Sequence, residues 1–72
     1  MNIQQIFGNN VRRFREAKGW SQDKLSEESG LHRTYISGIE RGVRNPTIEI
    51  AFEIATALDT KTALLFEEKD NG

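Results

Sequence analysis

The chain has 72 residues with no cysteine and one histidine, which allows one small domain with one core and excludes disulfides and most zinc sites. Ten Lys and Arg residues are offset by eleven Asp and Glu residues, for a net charge of −1, so the overall charge does not favour nucleic acid. We recognise neither a signal peptide nor an apolar run that could span a bilayer, and expect a cytoplasmic protein without a membrane role.

The charge is distributed unevenly along the chain. The first 45 residues hold eight basic and five acidic side chains, a balance of +3, whereas the rest hold two basic and six acidic ones, a balance of −4. A basic first part could face phosphates while the acidic part faces away from them. A solvated surface could show the same asymmetry, so this evidence is weak alone.

The first helix is predicted to begin after Asn2, whose side chain can cap it. Phe7, Val11 and Phe14 follow at helical spacing, which indicates a face turned towards the core. Gly19 is predicted to end this helix. We interpret it as a core element.

Two helices separated by a tight turn are predicted between Trp20 and Gly42. Ser21 can cap the second helix, and Leu25 lies where an apolar residue would meet the core. Gly30 provides the left-handed backbone conformation that side chains with a Cβ resist. This pattern is typical of a helix-turn-helix, and sequence-specific DNA binding is its leading interpretation. The alternative is an ordinary helical hairpin with no DNA role.

The third helix is predicted to have two distinct faces. Ile36 and Ile39 lie three residues apart and can point into the core. The opposite face is expected to present Arg33, Thr34, Ser37 and Gly38.

The first exposed residues of such a helix are the ones that reach base edges in the major groove. Arg33 can donate two hydrogen bonds to guanine, and Thr34 suits a base edge or a thymine methyl group. Tyr35 could touch a base or the backbone. We therefore predict base contacts by these three residues.

Several polar residues around the third helix are candidates for the DNA backbone. Free amides at the start of the second helix favour a phosphate near Ser21 and Gln22. The loop candidates are Arg41, Arg44 and Asn45, and His32 is a helix cap or a phosphate contact. Arg44 could enter an adjacent minor groove instead of contacting the DNA backbone. Solvated loop charges are the alternative for the loop residues.

Arg15 and Glu40 could pair between the first helix and the end of the third. Such a pair would hold the two helices together, although an exposed pair would contribute little stability.

The fourth helix is predicted to follow the loop that Pro46 extends, with Thr47 as its cap. Its inward stripe is predicted to consist of Ile48, Ala51, Ala55 and Leu58. Further apolar residues give this helix more apolar width than one core needs. Ile50, Phe52 and Ile54 are therefore candidates for a dimer interface.

A short fifth helix is predicted at 63–66, where consecutive apolar residues cannot all face one core. Leu64, Leu65 and Phe66 are dimer candidates as well, and burial within the monomer is an equal alternative for each. We thus expect an all-α, single five-helix domain over residues 1–68 and a flexible tail at 69–72.

Over about Phe7 to Phe66, the chain resembles the phage-repressor type of helix-turn-helix domain, the lambda-repressor-like XRE family. The resemblance is carried by the five-helix pattern and by Gln22, Leu25, Gly30, Leu31, Ile36 and Ile39. Within it, the string LHRTYISGIERGVRNPTIE is similar to the signature of restriction-modification controller proteins. The resemblance implies a dimer on palindromic double-stranded DNA that activates or represses its own gene and the endonuclease gene.

The resemblance also implies roles for individual residues. It implies base or groove contacts by Arg33, Thr34 and Tyr35, and an ion pair between Arg15 and Glu40. It implies dimerisation through the end of the fourth helix and the fifth. The implied backbone contacts are Gln22, Ser37, Arg41, Arg44 and Asn45.

The second half departs from the family pattern. Asp59 stands where glycine or asparagine is usual, and Lys61 stands in place of the hydroxyl cap of the fifth helix. Ala51 replaces a common leucine, and Phe52 beside it is unusual. We therefore expect the fifth helix to start differently and Phe52 to serve the interface or a locally rotated core.

Two other classes of function compete with the regulator. An antitoxin or phage-type repressor would use the C-terminal apolar surface to bind a protein partner. An enzyme is disfavoured because we find no nucleophile–base pair, phosphate loop or metal cluster in the sequence. We expect no catalytic activity, cofactor, metal or small-molecule ligand.

Overall fold

The computed structural model describes residues 2–68. They form four α-helices and one 3-10 helix: α1 (Ile3–Ala17), α2 (Gln22–Ser29), α3 (Arg33–Glu40), α4 (Ile48–Ala57) and the 3-10 helix (Thr62–Phe66). The predicted all-α class is confirmed for this part of the chain. The tail predicted at 69–72 lies outside it. Within residues 2–68, no helix has the length and apolarity that crossing a membrane requires.

Three predicted helix caps are confirmed. Each cap accepts a hydrogen bond from the backbone N–H three residues later, which satisfies a donor without a partner inside the helix. Asn2 caps α1 at 2.8 Å, Ser21 caps α2 at 3.0 Å and Thr47 caps α4 at 3.1 Å. Gly19 and Gly42 follow the ends of α1 and α3 with φ of +73° and +77°, as expected of glycines that end helices.

The last element is a 3-10 helix that starts at Thr62, one residue earlier than predicted. The N–H of Leu64 donates to the carbonyl of Lys61 at 3.0 Å, the i to i+3 bond of this helix type. Lys61 makes no side-chain cap bond, because an ammonium group has no acceptor. Asp59 precedes it with φ +57°, a left-handed conformation that favours glycine.

All five elements contribute to one apolar core. Ile48 was predicted to point inward with Ala51, Ala55 and Leu58, and this is wrong because its side chain is 87 % exposed. It is the first residue of α4 and follows a largely exposed loop, so no neighbouring element covers it. The buried apolar residues are Phe7, Val11, Leu25, Ile36, Ile39, Ala51, Ile54, Ala55, Leu58 and Leu65.

Two predicted dimer contacts, Ile54 and Leu65, are wrong because both side chains are 0 % exposed. α4 packs against both α2 and the 3-10 helix, so the apolar width of α4 is largely used inside the monomer. The remaining candidates lie at the surface, with Ile50 and Leu64 half-buried, Phe52 63 % exposed and Phe66 41 % exposed.

α1 holds both α3 and the 3-10 helix in place. A Cβ on Gly8 would lie 2.2 Å from the carbonyl oxygen of Ile39, so only glycine permits this approach of α1 to α3. The side-chain amide of Asn10 donates to the carbonyls of Leu65 at 2.9 Å and Glu67 at 2.7 Å. α1 is therefore the scaffold on which α3 rests.

Candidate nucleic-acid interface

A three-residue turn from Gly30 to His32 joins α2 to α3. Gly30 has φ +76°, and its N–H donates to the Ser26 carbonyl at 2.9 Å. The Ser26 hydroxyl donates to the Leu31 carbonyl, which closes the turn. Nδ1 of His32 accepts from the N–H of Thr34 at 3.3 Å and caps α3. Local hydrogen bonds thus fix where α3 begins.

A bidentate ion pair joins α1 to the end of α3. Nε of Arg15 lies 2.6 Å from Oε2 of Glu40, and Nη2 lies 3.0 Å from Oε1. Both residues are buried, at 9 % exposure. The hydrogen bonds to Glu40 raise the pKa of Arg15 above its ordinary value, although burial opposes this. Arg15 therefore stays charged inside the fold.

The same ion pair also binds the start of α2. Nη1 of Arg15 donates to the Trp20 carbonyl at 2.6 Å, and Nε2 of Gln22 donates to Oε1 of Glu40 at 3.1 Å. These bonds link α1, α2 and α3 and set how α2 and α3 sit relative to each other. Gln22 is half-buried, and the structure shows it as part of this network. Its predicted phosphate contact stays a prediction.

The predicted base-contacting residues lie together in the first turn of α3. Arg33 and Thr34 are exposed, whereas Tyr35 is half-buried and packs against the core. Nε of Arg33 lies 3.0 Å from Oδ1 of Asp23 in the first turn of α2. The sequence did not indicate this ion pair. Asp23 and Arg33 belong to different helices, so no periodicity within one helix could indicate it.

Arg44 lies across α3 at Gly38. A Cβ on Gly38 would be 2.6 Å from Cγ of Arg44, and the Arg44 guanidinium lies 5.7 Å from the centre of the Tyr35 ring, within range of a cation–π contact. Gly38 is buried, so the prediction that it points outward is wrong. Because Gly38 has no side chain, Arg44 can lie against α3 there and reach the ring of Tyr35.

The remaining predicted backbone contacts surround α3. Ser37 is half-buried, and its carbonyl accepts from Nε of Arg41 at 3.4 Å. The N–H of Val43 donates to the Gly38 carbonyl at 3.0 Å, which ties the following loop to α3. The exposed members of the set are Ser21, His32, Arg41, Arg44 and Asn45.

Comparison with known proteins places this arrangement in a family. Residues 11–65 match the Helix-turn-helix family. The chain belongs to the helix-turn-helix family. The match includes the capped start of α2, the Gly30 turn and all of α3, and the family is of the XRE type that the resemblance implied.

Helix-turn-helix proteins of restriction-modification systems are among its relatives. The chain is 45 % identical over 65 residues to Control protein C.SmaI of Serratia marcescens, covering 90 % of this chain and 77 % of that protein. The restriction-modification controller protein C.AhdI from Aeromonas hydrophila has a TM-score of 0.84 and 44 % identity, covering 88 % of this chain and 96 % of that chain.

A solved helix-turn-helix complex extends the comparison. The controller protein C.Esp1396I, as a tetramer in complex with its natural 35 base-pair operator, has a TM-score of 0.83 and 35 % identity. The match covers 92 % of this chain and 87 % of that chain. The chain is thus a helix-turn-helix transcriptional regulator of the XRE type that is similar to restriction-modification controller proteins.

Proposed function

We propose that this chain is a sequence-specific DNA-binding regulator that acts as a homodimer on an inverted repeat and controls a restriction-modification system. In this proposal α2, the Gly30 turn and α3 form the helix-turn-helix, and α3 enters the major groove. One observation carries the proposal: the first turn of α3 exposes Arg33 and Thr34 while its opposite face is buried. The operator complex of the similar protein C.Esp1396I supports it.

In this proposal, base readout comes from the first turn of α3. Ile36 and Ile39 are at most 1 % exposed, so they fix the rotation of the helix and the direction of its exposed residues. Arg33 would donate to O6 and N7 of a guanine, and Thr34 would contact a base edge or a thymine methyl group. Tyr35 would lie beside them, against the core.

Contacts to the DNA backbone would fix the position of α3 in the groove. Arg41 and Arg44 contribute positive charge on the loop side of α3, and their contacts to phosphate would be independent of sequence. The helix N-terminus capped by Ser21 would add backbone amides. The other proposed contacts are Gln22, His32, Ser37 and Asn45.

The proposed homodimer would use the apolar residues that the monomer leaves at its surface. Phe52 is 63 % exposed and Phe66 is 41 % exposed, and Ile50 and Leu64 are half-buried. A two-fold axis would place two copies of α3 one turn of DNA apart, about 34–36 Å. No cofactor or small-molecule ligand is part of the proposal. The proposed domain would span residues 1–68.

Selection of bound sequences from random duplex DNA tests this function. We expect the wild type to enrich an inverted repeat, and Arg33→Ala to lose the preference at one symmetric position. Arg12→Ala is the matched control, because Arg12 is an exposed cation on α1 whose ion pair with Glu16 is also exposed. It removes the same charge and should leave the enriched sequence unchanged.

Enrichment of no sequence, with weak binding that fades as salt rises, would overturn the proposal. That outcome would leave the protein-binding alternative, an antitoxin whose C-terminal apolar surface binds a protein partner.

A further inference from the structure

Asp23 and Arg33 form an ion pair at the point where two helices begin. Asp23 lies in the first turn of α2, Arg33 is the first residue of α3, and Nε of Arg33 lies 3.0 Å from Oδ1 of Asp23. Their side chains are 73 % and 60 % exposed. An exposed pair of this kind adds little to folding stability, and Arg33 is the residue proposed to read a base.

The geometry leaves part of the Arg33 guanidinium available. Arginine has five N–H donors in a planar fork, and the Asp23 carboxylate lies on its Nε side. The terminal Nη1 and Nη2 groups keep donors for the acceptors of a guanine. Because arginine is long and flexible, holding Nε in place restricts the side chain before DNA arrives and lowers the entropy lost on binding.

The charge of Asp23 also affects the part of the DNA affinity that does not depend on sequence. A carboxylate beside a proposed DNA-reading residue repels phosphate, and this repulsion is the same for every sequence. Asp23 would therefore weaken binding to every sequence equally, while it orients the residue that reads the base.

We propose that Asp23 is a positioning residue that sets DNA specificity: it orients Arg33 towards a guanine and lowers sequence-independent affinity. This inference rests on the proposed function. Asp23 would then be a specificity determinant outside α3, the helix proposed to enter the major groove.

The test measures base preference in variants of α2. The probes are the enriched duplex and the same duplex with the Arg33-dependent base pair replaced in both half-sites. We expect Asp23→Asn to lower the ratio of the two affinities about two- to fivefold, the range for an exposed ion pair. Asp23→Glu should restore part of the ratio. Glu27→Gln is the matched control: it removes the same charge one turn along α2, at an exposed residue, and should leave the ratio unchanged.

A double-mutant cycle separates positioning from repulsion. In an Arg33→Ala background, Asp23→Asn should no longer change the ratio, because its effect acts through Arg33. The specificity role of Asp23 is overturned if Asp23→Asn changes both affinities only by one common factor, if it raises the ratio, or if its effect on the ratio persists without Arg33.

An NMR measurement on the free protein separates failure of this inference from failure of the proposed function. The relaxation of the Arg33 Nε resonance should show restricted side-chain motion in the wild type and in Glu27→Gln, and greater motion in Asp23→Asn. Equal motion in all three would overturn positioning even where the protein selects DNA. A wild type that restricts Arg33 but selects no DNA would overturn the specificity role through the proposed function itself.

Discussion

Arg15 of α1 and Glu40 of α3 are joined by two hydrogen bonds, of 2.6 Å and 3.0 Å, within the fold. Two further bonds tie this pair to Trp20 and Gln22 at the start of α2. One buried ion pair thus touches all three helices that position the candidate interface. The orientation of α3 depends on it, because a buried ion without its partner is unstable.

The ion pair predicts a large loss of stability when one partner is neutralised. Glu40→Gln keeps the shape but leaves the Arg15 charge with only the exposed carboxylate of Glu16, at 4.0 Å, and we expect the free energy of unfolding to fall by about 3 kcal/mol. Urea denaturation followed by circular dichroism measures this. Glu28→Gln is the control, because the ion pair of Glu28 with Lys24 is exposed and its loss should change stability little. Equal effects of the two variants would contradict a structural role for the buried pair.

The contact between Gly38 and Arg44 leads us to expect that substituting Gly38 lowers DNA affinity while the protein stays folded. Gly38→Ala places a Cβ 2.6 Å from Cγ of Arg44, and this flexible side chain must move. We expect the net change in thermal stability to be small, because the higher helix propensity of alanine, up to about 1 kcal/mol, offsets the displacement of Arg44. Affinity for DNA should fall as it does in Arg44→Ala, with a salt dependence shallower by about one phosphate contact.

The double variant provides the control for this prediction. Adding Gly38→Ala to Arg44→Ala should cause no further loss of affinity, because the displaced side chain is already gone. Additive losses would show that Gly38 acts on binding independently of Arg44.

We expect that replacing Asp59 by glycine makes the protein more stable. Its φ of +57° is unfavourable for a residue with a Cβ, so Asp59→Gly should raise the free energy of unfolding by up to about 1 kcal/mol. Thermal unfolding measures the change. Asp59→Ala removes the same charge but keeps the Cβ, and should show no such gain. A gain as large in Asp59→Ala would assign the effect to charge and not to backbone conformation.

We expect that charged substitutions at the exposed apolar residues weaken the proposed dimer. Phe52→Glu and Leu64→Glu each put a charge into the proposed interface, and we expect the dimer dissociation constant to rise about tenfold or more. Sedimentation equilibrium measures the constant, and circular dichroism checks that each variant is folded. Ile3→Glu is the control, since Ile3 is 52 % exposed and lies outside the proposed interface. A constant unchanged in both test variants would contradict this interface.

Features set by neighbouring residues could be predicted from the sequence. Asn2, Ser21 and Thr47 cap their helices as expected, because a cap depends on the residue and the three that follow it. The turn at Gly30 is equally local, since a left-handed backbone favours glycine wherever it occurs.

Features set by distant parts of the chain could not be predicted. The burial of Ile54 and Leu65 and the exposure of Ile48 depend on which elements cover α4, and apolar spacing does not contain this information. Asn10 bonds to a carbonyl 55 residues away, and Asp23 meets Arg33 across the turn. Within the candidate interface, the residue types could be predicted, but the partners that hold them could not.

The most direct test of the central claim is a competition titration with the wild-type protein. One duplex carries the enriched inverted repeat, and the other has the same length and base composition in scrambled order. We predict that the inverted repeat binds at least about a thousandfold more tightly at physiological salt, as expected of specific recognition. Equal affinities that decline together as salt rises would contradict sequence-specific binding, because only attraction to phosphate would then be present.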